Sequence, residues 1–246
     1  MKEGGADFDA VLRAAAALQR VLPDAVLVGG TAAAVHAGHR ASGDADHTLG
    51  DLRERFPEVL ALLDAAPEWE EARRVQGVLL LGNFDGVPTG VRQLIRSRPL
   101  ETRLVEAPDG APLRVPSPSE MLRIKGWLAL TRNYGRDYLD AAALAAALAE
   151  RAPEALMSFD RCYAEIGPSR GIAKSPLRQL LRQLADPRPK IEAEGDGPLR
   201  DLTGLRPPWD DWGHVRARCL DLAARVMERL TERAAPAPPE SGGPGM

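Results

Sequence analysis

Residues 26–46 read VLVGGTAAAVHAGHRASGDAD, and the fold is decided here. An apolar run, Ala25 to Val28, has the length of a short buried strand, and Gly29-Gly30 breaks it. Thr31 can cap a short helix from Ala32 to Ala37, and Gly38 can end that helix in the left-handed conformation. Alternation resumes over residues 43–48. If that segment is a strand, Asp44 and Asp46 project from one face about 6.6 Å apart, two rises of about 3.3 Å. At an effective dielectric near 20 two carboxylates at that spacing repel by about 2.5 kcal/mol, so a partly buried pair needs a countercharge. Oxygen-only ligands suit Mg²⁺, and a glycine turn opening a helix lets backbone N–H groups and the helix dipole approach phosphate.

Outward from this stretch, Phe8, Val11, Leu12, Ala15, Leu18 and Leu22 mark an amphipathic helix that Pro23 stops. Asp51 to Ala66 reads as a second helix. Residues 68–115 read as a strand-rich meander, with apolar runs Val78–Leu81, Val91–Ile95, Leu104–Val105 and Leu113–Val115 between turn signals at residues 83–86 and 108–110. Ser117-Pro118-Ser119-Glu120 has the form of a capping box opening a helix through Met121, Ile124, Trp127 and Leu128. From there the chain reads as helical, with a late stripe of Val215, Cys219, Leu222, Val226 and Leu230. The expectation is an α+β fold: an α/β domain over residues 1–116, with a mixed sheet and flanking helices, a helical domain over 117–233, and a disordered Pro- and Gly-rich tail over 234–246.

Composition narrows the function. The chain of 246 residues carries 32 Lys and Arg against 35 Asp and Glu, a formal charge of -3, which excludes a globally basic nucleic-acid coat. Charge is unevenly divided: residues 1–91 hold 8 basic and 14 acidic groups, residues 92–136 hold 9 and 4, and residues 137–246 hold 15 and 17. A local nucleic-acid site around Arg92 to Arg136, with Arg96 and Arg98 as candidate contacts, therefore stays open. Cys162 and Cys219 are too few for a disulfide framework and are expected to pack as small apolar residues. No stretch approaches the roughly 18 apolar residues of a membrane helix, so the expectation is a cytoplasmic protein without a membrane partner.

A second block, KGWLALTRNYGRDYLD over residues 125–140, holds Lys125, Arg132, Arg136, Asp137 and Asp140. Lys125, one of four lysines in an arginine-rich chain, could bind a triphosphate as a compact point charge. Asp137 and Asp140 are three apart and share a helix face, from which they could position an acceptor or neutralise Arg132 and Arg136.

The two blocks together resemble the AbiEii/AbiGii toxin family within the polymerase-β-like nucleotidyltransferase superfamily. The resemblance rests on Gly29-Gly30-Thr31, on His39-Arg40, Ser42, Asp44 and Asp46, and on the Lys125 to Asp140 block, and it spans about residues 25–145. It implies transfer of a nucleoside monophosphate from an NTP to a hydroxyl, with RNA, foremost the tRNA 3′ end, as acceptor. It also implies Mg²⁺ or Mn²⁺ as cofactor and a cognate antitoxin protein as partner. In that picture Gly29, Gly30 and Thr31 cradle phosphates, Asp44 and Asp46 hold metal, and Arg40 and Ser42 contact the triphosphate or its loop. Lys125 binds the β- or γ-phosphate, and Asp137 acts as base or acceptor-positioning group.

One departure stands out. The superfamily's third carboxylate would fall in Gly90-Val-Arg-Gln-Leu-Ile95, where Gln93 is the best-aligned residue; Asp85, Glu101 and Asp137 are substitutes. Two other readings stay open: a catalytically weak nucleotide-binding or protein-interaction module on the same fold, and a small-molecule nucleotidyltransferase. A zinc site from His36, His39, His47 and Asp46 is a weaker rival.

Overall fold

The computed structural model describes residues 7–172, 174–190, 197–199 and 202–234. Helix α1 (Phe8–Val21) is opened by Asp7, whose carboxylate accepts from the Asp9 N–H, and buries Val11, Ala14, Ala15 and Leu18. Strand β1 (Val26–Leu27) leads into α2 (Gly29–Ala37), which Gly38 ends with φ 60°. Two local expectations change here. The helix begins at Gly29 rather than after Thr31, so both glycines lie in its first turn. Thr31 caps nothing; its hydroxyl donates to the Asp44 carbonyl at 2.5 Å and ties the helix to the chain entering β2 (Ala45–Leu49).

Helix α3 (Phe56–Asp64) is shorter than expected, with turns before it. A strand that periodicity did not disclose, β3 (Trp69–Val75), follows and buries only Trp69. Its WEEARRV sequence is charged on both faces, as an edge strand tolerates. Strands β4 (Leu79–Phe84) and β5 (Val87–Gln93) form a hairpin closed by Asp85 and Gly86, both at positive φ as a two-residue type I′ turn requires. The five-stranded sheet runs β1-β2-β5-β4-β3, and only the β2/β5 pair is parallel. Strands β6 (Thr102–Glu106) and β7 (Pro112–Pro116) pair separately.

Helix α4 (Pro118–Arg132) starts at Ser117, whose hydroxyl accepts from the Glu120 N–H. The box stays half-closed because the Glu120 carboxylate turns to Arg96 and Arg123. Helix α5 (Gly135–Leu148) follows a left-handed Asn133 and buries an alanine-rich face, Ala141 to Ala145, whose small side chains allow α2 to pack closely. Four further helices are described: α6 (Ala152–Met157), α7 (Phe159–Tyr163), α8 (Pro176–Ala185) and α9 (Trp212–Ala234). The expected stripe of α9 is buried at Val215, Cys219, Leu222 and Val226.

The larger apolar cluster draws residues from α1, α2, β7, α4 and α5 through to α9. A smaller one fills the space between α1, α3 and the sheet around Leu52, Phe56, Leu80 and Phe84. The β2/β5 pairing and the α2/α5 contact are what matter for function, because they bring residues 29–46 against residues 90–140. The expected tail beyond Ala234 lies outside the described residues.

Candidate active site

Strand β2, between β1 and the central β5, carries Asp46 directly opposite Gly90 of β5. A side chain at position 90 would place its Cβ 2.5 Å from Asp46 Oδ1, and one at Gly29 would sit 3.4 Å from Asp46 Cβ. Both glycines therefore clear a socket for one carboxylate, a close-approach role expected of glycine inside a strand. Gly30 is equally constrained: a Cβ there would collide with the Arg40 guanidinium and lie 3.0 Å from Ser42 Oγ. Asp44, exposed just ahead of β2, accepts from the Ser42 hydroxyl at 2.8 Å.

These residues open onto a cavity of about 570 Å³. From the first block it is lined by Gly29, Gly30, Arg40, Ser42, Asp44 and Asp46, and from the second by Lys125, Arg132, Arg136 and Asp137. Two sequence-predicted members stand back from it. Thr31 is buried and spends its hydroxyl on the Asp44 backbone. Asp140 is wholly buried and serves as an anion between the blocks. It meets Lys125 Nζ at 2.7 Å, Arg40 Nε and Nη2 at 2.8 and 3.1 Å, and His39 Nε2 at 2.7 Å. Burial alone would raise its pKa, but Lys125 and Arg40 hold it well below the ordinary carboxylate value. Asp140 thus points Lys125 and Arg40 at the cavity wall without lining it.

The two cavity carboxylates shift the other way. Desolvation raises the pKa of Asp46, partly offset by Arg92, and raises that of Asp137, partly offset by Lys125 at 3.7 Å. Asp137 Oδ2 is buried without a hydrogen-bond partner. A carboxyl group facing a cavity with spare proton affinity is suited to accept a proton.

The register corrects the placement of the third acidic position. Gln93 pairs with Leu49, three residues beyond Asp46, and so projects from the opposite face of the sheet. Its amide is spent on the Gly50 and Leu94 carbonyls and the Arg53 N–H. The residue on Asp46's face is Arg92, whose Nε lies 3.7 Å from Asp46 Oδ1. Among the proposed substitutes, Asp85 sits in the β4–β5 turn and Glu101 pairs with Arg123 at 2.6 Å; only Asp137 reaches the cavity. Arg92 and Gly90 are the site residues that sequence reasoning missed. A glycine in the interior of the strand VPTGVRQ was the available signal.

The histidine alternative does not assemble. His36 meets the Pro116 carbonyl at 2.8 Å, His39 meets Asp140, and His47 is fully buried against the Ala45 carbonyl, where desolvation pushes its pKa down to about 4. Among the described residues no group of three or more His, Cys, Asp or Glu is arranged to hold a metal. The Asp44–Asp46 pair still fits a single hard cation. Both carboxylates line an open cavity, and Gly29 and Gly90 keep the space around the Asp46 carboxylate clear.

The basic segment also needs correction. Arg96 is buried, bonded to Glu120 at 2.8 Å and to the Arg98 and Pro99 carbonyls, with its guanidinium 5.3 Å from the Tyr163 ring centre. It fastens the loop after β5 to α4 and is no surface contact for RNA. Trp127 stacks on Tyr163 at 4.6 Å and Tyr138 is fully buried, so both are core residues.

No family model matches the chain. Among curated proteins it is similar to the heme uptake protein MmpL11 of Mycobacterium tuberculosis, 31% identical over 256 residues, covering 91% of this chain and 23% of that protein. The mycolic acid-containing lipids exporter MmpL11 of Mycolicibacterium smegmatis is 36% identical over 135 residues, covering 54% of this chain and 13% of that one. The chain thus spans under a quarter of the length of these relatives. Among solved structures, the nucleotidyltransferase toxin MenT4 of M. tuberculosis superposes with a TM-score of 0.52 at 18% identity, covering 90% of this chain and 83% of that one. A nucleotidyltransferase-like protein from Paracoccidioides brasiliensis gives 0.44 at 19% identity, over 70% and 93% of the two chains. Among the described residues no helix is long and apolar enough to cross a membrane. With its mixed sheet, flanking helices and this structural likeness, the chain has a nucleotidyltransferase-like α+β fold.

Proposed function

We propose that the chain is a nucleotidyltransferase that moves a nucleoside monophosphate from an NTP to a hydroxyl of RNA, with the tRNA 3′ end as first candidate, and that it acts as a toxin restrained by an antitoxin protein. The observation that carries this reading is one cavity in which Gly29-Gly30, Asp44 and Asp46 meet Lys125 and Asp137, from blocks about 80 residues apart. The likeness of fold to MenT4, described as a nucleotidyltransferase toxin, supports both the reaction class and the biological role.

Each group has a task its position suits. The first-turn N–H groups of α2 at Gly29 and Gly30, together with the positive end of that helix, receive phosphate oxygens. Asp44 and Asp46 would hold Mg²⁺ or Mn²⁺, which supplies charge neutralisation to the triphosphate and polarises the transferred phosphoryl group. Ser42 fixes the Asp44 carboxylate, and Lys125, steadied by Asp140, faces the β- and γ-phosphates. Asp137 takes the proton from the acceptor hydroxyl as its oxygen bonds to the α-phosphorus; the bond to the bridging oxygen breaks and pyrophosphate leaves.

The test is incubation with Mg²⁺, labelled NTPs and total tRNA, comparing wild type with Asp44→Ala. Label in tRNA with wild type alone supports the assignment; equal labelling by the variant removes Asp44 from the site. Because Arg92 stands on the face where the superfamily has a third acid, a binding module without turnover is the second reading. Calorimetry showing NTP binding, with no label in tRNA or in small hydroxyl acceptors, would favour it.

A further inference from the structure

Arg92 is an unexpected neighbour for a metal-holding carboxylate. Strands β2 and β5 are parallel, with Asp46 opposite Gly90 and Thr48 opposite Arg92, so Asp46 and Arg92 rise from the same face one step apart. Gly90 removes the side chain that would separate them, and Arg92 Nε reaches within 3.7 Å of Asp46 Oδ1. The Arg92 side chain is 44% exposed and lines the cavity. Two other cavity cations are engaged by Asp140: Lys125 at 2.7 Å, and Arg40 through two nitrogens. Among the described residues Arg92 makes its ion pair with Asp46 at the longer distance of 3.7 Å, through Nε, so its outer nitrogens can reach a second anion. Its planar fork matches two oxygens of one phosphate, which an ammonium cannot do.

A two-metal phosphoryl-transfer site sets four positive charges close together, which its carboxylates and the bound phosphates must offset together. Here the described residues present two carboxylates at the sheet, and a fixed positive charge lies against the inner one. A second divalent ion beside Asp46 would face that guanidinium at contact range and be repelled.

Resting on the nucleotidyltransferase reading above, we propose that Arg92 is a built-in cation replacing the second metal ion: the chain takes one divalent ion at Asp44–Asp46 and grips the α-phosphate of the bound nucleotide through Arg92. Deprotonation of the acceptor then falls to Asp137, since no ion is left to activate the hydroxyl on that side.

The test counts ions and measures nucleotide affinity without turnover. Free Mn²⁺ is followed by electron paramagnetic resonance as the chain is titrated with a non-hydrolysable NTP analogue present. Wild type is expected to bind one Mn²⁺ tightly, and Arg92→Asp, which adds a third carboxylate, a second. Arg92→Gln should keep one ion but lose at least tenfold in analogue affinity, and Arg92→Lys should recover part of that loss. Two tight ions on wild type, or unchanged analogue affinity in Arg92→Gln, would overturn the role of Arg92 while leaving nucleotidyl transfer intact. Absence of any analogue binding by wild type would overturn both. Arg92 is partly exposed at the cavity, so circular dichroism of the variants should match wild type and rule out unfolding as the cause.

Discussion

Replacing Asp140 by Asn removes one negative charge and almost no volume, and so isolates the electrostatic work of the buried cluster. Asp140 is 0% exposed and contacts Lys125, Arg40 and His39 at 2.7–3.1 Å. At an effective dielectric of about 20, each cation at this range contributes roughly 4–6 kcal/mol of attraction, most of it offset by desolvation of the partners. Breaking such a buried set from one side costs about 3–5 kcal/mol, because Lys125 and Arg40 stay buried without their anion. That is a large share of the roughly 5–15 kcal/mol by which folded domains are stable, and at about 2–4 °C per kcal/mol it predicts a Tm fall near 10 °C. Urea unfolding at pH 7 reads the difference. The sign with pH follows from the folded pKa lying below the ordinary value. The stabilisation is fully present above the unfolded pKa near 3.9 and fades as pH falls through the folded one, so the two proteins should converge in acid. A difference under about 1 kcal/mol at pH 7, typical of an exposed pair, would refute the view of Asp140 as the anion joining the blocks.

Arg96→Glu should fail as a probe of RNA binding: it sets two carboxylates together in a buried site and should destabilise the fold by roughly 3 kcal/mol or more, read by thermal unfolding, whereas exposed Arg98→Glu should leave Tm nearly unchanged. Gly90→Ala should push the Asp46 carboxylate out of its socket and weaken Mn²⁺ binding by about tenfold, or ~1.4 kcal/mol, in the same titration that counts ions; unchanged affinity would mean that Asp46 holds no metal. Desolvation raises the Asp137 pKa, and a base must be unprotonated, so transfer should rise with pH along a limb displaced above the ordinary carboxylate range; Asp137→Asn should abolish the limb together with most of the rate. For an RNA acceptor, Arg132 and Arg136, which line the cavity beside Arg92, set about two phosphate contacts and a slope of log K against log salt near about -1.5 to -2; a slope near about -6 would require the whole basic segment to bind phosphate.

How far the sequence could be read follows from what each element buries. The glycine turn, β2, the β4–β5 hairpin and α4 announced themselves because their signals are local: backbone freedom at Gly38 and Gly86, Ser117 at a helix start, and apolar runs of strand length. Strand β3 did not, since six of its seven residues are exposed and its membership rests on hydrogen bonds to β4. Thr31 was misread for a related reason. A hydroxyl before a helix and a hydroxyl inside its first turn look alike in sequence, and only the nearness of the Asp44 carbonyl decides which acceptor it takes.

The charged residues were legible as chemistry but not as geometry. Nine basic groups between Arg92 and Arg136 suggested a surface for nucleic acid, yet Arg96, Arg123 and Lys125 are buried in ion pairs with Glu120, Asp137 and Asp140. Net charge over a segment cannot separate cations that hold helices together from cations that face a cavity. The same limit governs the third acidic position. A shift of one residue moves a strand side chain to the other face of the sheet, so Gln93 and Arg92 are adjacent in sequence but belong to different environments. One faces Gly50 and closes the end of β5; the other faces Asp46. A neutral amide at the catalytic face would have implied a carboxylate site missing one ligand. A guanidinium there is what the proposal of a built-in cation in place of a second ion rests on, and under that proposal proton removal falls to Asp137, which lines the same cavity.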